Sequence, residues 1–79
     1  MRTKELKTVV TFASTSDAMA MEATAREHKL PGRVIPVPSE IDAGCGLAWC
    51  IPAEERETLL AGIQMHGLAY EAITEIMMY

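Results

Sequence analysis

Gly44-Cys45-Gly46 is the arrangement in this chain best suited to chemistry. A thiolate, not a thiol, is the nucleophile of sulfur chemistry, and it needs access and local positive potential. Flanking glycines remove side-chain obstruction. They also let successive backbone N–H groups converge on an anion, the nest geometry that would lower the thiol pKa. The same tripeptide also arises in any tight turn, so a structural loop role stays open beside a reactive one. Cys50 falls in an apolar run and reads as a small buried hydrophobe. Glu40 and Asp42 flank the Cys45 loop. They read as solvated loop charges, and close to the sulfur they would raise its pKa.

Metal chemistry finds little support. His28 and His66 each stand at the end of a helical pattern, where imidazolium complements the helix dipole. Neither has a second histidine at i+3 or i+4, and there is no Cys-x-x-Cys. A four-ligand zinc site would have to recruit both cysteines and both histidines from distant elements. No phosphate-cradling glycine motif, no Gly-x-Ser-x-Gly and no Ser-His-Asp set is present. No metal or cofactor is expected, and a carrier or binding role is favoured over a turnover enzyme.

The spacing of the cysteines bears on compartment. An extended segment from Cys45 to Cys50 separates their Cα atoms by roughly 16 Å at about 3.3 Å per residue. A disulfide needs less than about 7 Å. Free thiols fit a reducing cytoplasm, and no apolar run approaches the about 20 residues that span a bilayer.

The elements that must position these residues follow from periodicity. Lys7 to Ala13 is rich in Val, Thr and Phe and predicts a strand. Ser14-Thr15-Ser16-Asp17 supplies N-cap chemistry for a helix over Ala18 to Lys29, with Ala18, Met21 and Ala25 as its buried stripe and Leu30 closing it. Pro31-Gly32 stops that helix. Arg33 to Pro38 is a second strand. Pro36 and Pro38 cannot donate on one side of it, which places it at a sheet edge. Ser39 to Gly46 is a loop, and Leu47 to Ile51 a central strand. Pro52 starts a second helix whose buried stripe is Leu59, Leu60 and Ile63, with Arg56 at its rim; His66-Gly67 ends it. Leu68 to Met78 reads as a last strand, with Tyr70, Ala72, Thr74, Ile76 and Met78 on one face.

The order β-α-β-β-α-β with right-handed crossovers implies a ferredoxin-like α/β two-layer sandwich, an α+β fold. Both helices lie on one face of an antiparallel or mixed sheet of order 4-1-3-2. The chain of 79 residues (1–79) reads as one domain, with an expected radius of gyration of about 12 Å. Its apolar fraction of 49% excludes a fully disordered chain. Eleven acidic against seven basic side chains give a net charge of −4. That balance disfavours nucleic acid, whose phosphates call for a basic face. Met77, Met78 and Tyr79 make the last strand apolar, and an unpaired apolar edge invites a homodimer through that edge strand.

The sequence resembles a small bacterial family, a domain of unknown function called the Putative Se/S carrier protein-like family. The resemblance covers nearly the whole chain. It rests on Thr11-Phe12 leading into Ser16-Asp17-Ala18, on Pro31-Gly32-Arg33 with Ile35-Pro36-Val37-Pro38, and on Cys45-Gly46 opening the third strand. It implies a carrier that receives sulfur or selenium on Cys45 from a donor enzyme and passes the persulfide or selenosulfide to an acceptor protein. Small sulfur carriers of the bacterial sulfurtransferase type instead place Cys-Pro-x-Pro at the start of the first helix, where this chain has Thr15-Ser16-Asp17. The competing expectation is a small dimeric interaction or regulatory module in which Cys45 is a structural loop residue.

Overall fold

A computed structural model describes residues 4–38, 41 and 46–78. The elements run β1 (Glu5–Thr11), α1 (Thr15–His28), β2 (Arg33–Pro36), β3 (Leu47–Pro52), a short 3₁₀ turn (Ala53–Glu55), α2 (Arg56–His66) and β4 (Ala72–Met78). The four strands form one sheet of order β2-β3-β1-β4, and every pairing in it is antiparallel. That is the order expected from the sequence, with the proline-bearing β2 at one edge and β1 and β3 in the centre. The Cα radius of gyration is 11.8 Å.

Each boundary has a local cause. Ser14 caps α1 with its hydroxyl, which accepts from the Asp17 N–H at 3.2 Å. Lys29 ends the helix in the left-handed conformation at φ 58°, and the Leu30 N–H reaches back to the Ala25 carbonyl at 3.0 Å. This is a Schellman-type closure. Gly67 closes α2 in the same way, with the Leu68 N–H on the Ile63 carbonyl at 3.0 Å.

The last strand is shorter than its sequence pattern suggests. Leu68 to Glu71 form a connection, and β4 begins at Ala72. The Glu71 N–H donates to the Thr11 carbonyl at 2.7 Å, which starts the pairing with β1. The second strand likewise ends at Pro36 rather than Pro38.

One core cluster unites the elements: Val10 and Phe12 from β1 and its end, Ala18, Met21 and Ala25 from α1, Trp49 and Ile51 from β3, and Leu59 and Ile63 from α2. The stripes expected for both helices are therefore buried, while Leu60 is half-buried against them. On β4, Ile73 packs on this core, so the alternate set Ala72, Thr74, Ile76 and Met78 points away from it.

A second buried set, Val9, Thr11, Ala48 and Cys50, alternates with the core residues along β1 and β3. Val9 pairs with Cys50 and Thr11 with Ala48 across the ladder. The buried hydroxyls are satisfied: Thr11 donates to the Ala72 carbonyl and Thr8 to the Glu75 carboxylate, each at 3.3 Å.

The turn between α1 and β2 is locked onto the core. The Trp49 indole N–H donates to the Pro31 carbonyl at 2.8 Å. Gly32, at φ 107°, lies so close to the Trp49 ring, to Ile51 and to the Cys50 carbonyl that a Cβ there would overlap them. Gly32→Ala combines a positive φ with overpacking, so it should cost more than about 2 kcal/mol. Denaturant titration with tryptophan fluorescence measures this directly, and a loss below about 0.5 kcal/mol would contradict the packing described.

Candidate functional site

Of the two cysteines, Cys50 is among the described residues. Cys45, with Gly44, Glu40 and Asp42, lies outside the described residues. What is described is the frame of its loop. Leu47 pairs with Pro36 at the end of the β2–β3 ladder. Beyond it, the Val37 N–H donates to the Gly46 carbonyl at 3.0 Å, closing the connection at its base. Ile41 donates its N–H to the Pro38 carbonyl at 3.0 Å.

Gly46 has φ 77°, in the left-handed region that favours glycine, and no atom lies within 4 Å of where its Cβ would be. The residue immediately after Cys45 is thus exposed and borders open space. Its conformation suits the glycine that the sequence places there.

Cys50 sits mid-strand in β3, between β1 and β2, and is 5% exposed. Its Sγ lies 4.0 Å from the Met78 Sδ. Burial pushes the thiol above its ordinary pKa, and the positive charges of Lys7 and Arg33 offset part of that rise. Lys7, Gly32, Arg33, Cys50, Ile51 and Pro52 line a small open pocket of about 170 Å³. The flanking cations were not legible in the sequence, because they come from register: Arg33 is the cross-strand partner of Cys50, and Lys7 that of Pro52.

The histidines come together, which sequence reasoning missed. The His28 and His66 rings stack with centroids 4.1 Å apart and planes 26° from parallel. The contact follows from the close approach of the two helix ends. Gly62 of α2 lies against the Leu30 side chain, so near that a Cβ there would come within 2.8 Å of Leu30 Cδ2. Among the described residues, no three His, Cys, Asp or Glu side chains converge as a metal site would require. Arg56, expected at the rim of α2, pairs with Glu75 of β4 at 3.1 Å. Among the described residues, no helix is long and apolar enough to cross a membrane.

The chain matches the family described as Putative Se/S carrier protein-like over residues 7–75, and it belongs to that family. No curated protein and no solved structure matches it.

The Cys50 environment generates a reactivity prediction. At pH 8, iodoacetamide should alkylate Cys50 at least about tenfold more slowly than free cysteine, and denaturant should abolish the difference. The folded thiol holds its proton to higher pH than the unfolded one. Its stabilising contribution is therefore present below the unfolded pKa of about 8.5 and is lost as pH rises through the folded value. The stability advantage of the native chain over Cys50→Ala should accordingly shrink between pH 8 and pH 10, as read by denaturant midpoints. Rapid alkylation of the folded chain at Cys50 would contradict this assignment.

Proposed function

We propose that this protein carries sulfur or selenium on Cys45. The observation that supports the reading most directly is family membership over residues 7–75, a span that includes Cys45. The open, left-handed Gly46 that follows Cys45 is compatible with approach of a second protein. In the proposed step, the Cys45 thiolate attacks the outer sulfur of a donor persulfide. A Cys45 S–S bond forms, the donor S–S bond breaks, and the donor leaves as a thiolate. Transfer to the acceptor repeats the exchange with Cys45 as the leaving thiolate. A selenosulfide would form by the same displacement at selenium.

The fold reading that accompanies this proposal is a ferredoxin-like sandwich with both helices on one face, since residues of both join a single cluster with Val10, Trp49 and Ile51. Such a frame offers a docking surface rather than an enclosed substrate pocket. A reducing compartment, as in the cytoplasm, suits the free thiol of Cys50. The donor and the acceptor are proteins, and neither step needs a resident cofactor.

Mass spectrometry tests the assignment. After incubation with a cysteine desulfurase and cysteine, the protein should gain about one sulfur mass on the peptide carrying Cys45. Cys45→Ser should abolish the gain and leave the circular dichroism spectrum unchanged. A gain that persists in Cys45→Ser would move the chemistry to Cys50. An unmodified Cys45 that also alkylates slowly would favour the competing reading, an interaction module with a structural loop cysteine.

A further inference from the structure

We propose that Lys7 and Arg33 form a binding site for a small, doubly charged inorganic oxyanion of the sulfate or phosphate class, at the pocket they line beside Cys50. The inference goes beyond the carrier reading and stands independently of it, since it uses no residue of the Cys45 loop.

Register assembles the site. β1 and β2 are the two neighbours of β3. Arg33 is paired with Cys50 on one side, and Val9 is paired with it on the other. Lys7 stands two residues before Val9, so alternation puts Lys7, Cys50 and Arg33 on the same face of the sheet. The two cationic side chains reach one opening from opposite strands, across roughly 10 Å of sheet. Both charges act on the Cys50 sulfur, which puts them over the same patch.

Two cations brought together repel unless an anion joins them. The chain has eleven acidic side chains to seven basic ones, so counter-charges are not scarce. Elsewhere they are used: Arg26 pairs with Glu22 at 3.2 Å and Arg56 with Glu75 at 3.1 Å. Among the described residues, neither Lys7 nor Arg33 has a carboxylate partner, and none lines their pocket. An anion from solution supplies the counter-charge that the described residues do not bring there.

The lining selects the kind of anion. Arg33 offers a planar fork of N–H donors that suits two oxygens of one oxyanion, and Lys7 offers a compact point charge for a third. Their summed charge matches a doubly charged ligand better than chloride or a lone carboxylate. Cys50 adds no repulsion, because burial keeps its thiol protonated. Ile51 and Pro52 complete an apolar wall, beside which opposite charges attract more strongly than in open water. The volume of about 170 Å³ sets the size limit. Pockets for drug-sized organic ligands run to about 300–1,000 Å³, so this one suits a free inorganic ion.

Amide NMR titration of the full chain with sodium sulfate tests the proposal, with sodium chloride at matched ionic strength as the reference. Sulfate should shift the Arg33, Cys50 and Ile51 amides along saturable curves with a dissociation constant below about 5 mM, and chloride should not. Lys7→Gln and Arg33→Gln should each raise that constant at least about fivefold, with unchanged circular dichroism spectra. Arg56→Gln removes the same charge from α2 and should leave the constant within about twofold. Shifts that do not saturate, shifts that chloride reproduces, or an affinity indifferent to both pocket substitutions would overturn the proposal. An equal loss from Arg56→Gln would overturn it too, since the attraction would then be to net charge alone.

Discussion

The indole of Trp49 sets the terms for much of this molecule. A ring only 4% exposed must find a partner for its N–H, because an unpaired buried donor is costly. The partner is the Pro31 carbonyl at 2.8 Å. That bond ties the turn between α1 and β2 to β3. The next residue, at φ 107°, comes so close to the indole nitrogen and to Ile51 that a Cβ would overlap them, which suits glycine. Proline before it contributes no N–H to be satisfied and presents its carbonyl to the indole. The Pro31-Gly32 turn is therefore less a helix stop than a clamp between the first helix and the third strand. The stop itself is made two residues earlier by Lys29.

From this clamp the alternation of the sheet follows. Trp49 and Ile51 point into the cluster shared with both helices, and Val10 lies across from Trp49 in the same layer. Their neighbours Ala48 and Cys50 must then point away, beside Val9 and Thr11. Yet these four are also buried, between 0% and 5% exposed. The central strands are thus apolar on both faces, which is why Leu47 to Ile51 reads as an almost unbroken hydrophobic run rather than as an alternating one.

Several features were legible because they depend on local chemistry. Pro36 cannot donate to a ladder, so it marks an edge wherever the strand lies. The Ala18, Met21, Ala25 spacing buries one helical stripe in any packing. The sheet order followed from these and from handedness. Other features depend on what the fold brings together. Leu68 and Tyr70 continue an alternating pattern, but the pairing with β1 starts only where the Glu71 N–H meets the Thr11 carbonyl. The His28–His66 stack needs two helix ends that approach over Gly62 and Leu30, residues 32 positions apart in the chain. Lys7 and Arg33 reach Cys50 from two different strands. Of the candidate site, the sequence names Gly44, Cys45 and Gly46, and only Gly46 lies among the described residues.

The contrast between the two cysteines is physical rather than chemical. Five positions separate them, yet Cys50 is committed to the sheet by the pairing of β3 with both β1 and β2. Cys50 is only 5% exposed, and its proton is held by desolvation. A carrier sulfur has opposite needs: a thiolate available near neutral pH, and successive approach by two different proteins. Cationic neighbours alone do not meet those needs at Cys50, because the desolvation they act against is the larger effect. Cys45 precedes β3 in the chain, and that strand begins at Leu47. The carrier role is therefore proposed for Cys45 and not for Cys50. The packing that holds the sheet together is also what keeps Cys50 from solvent.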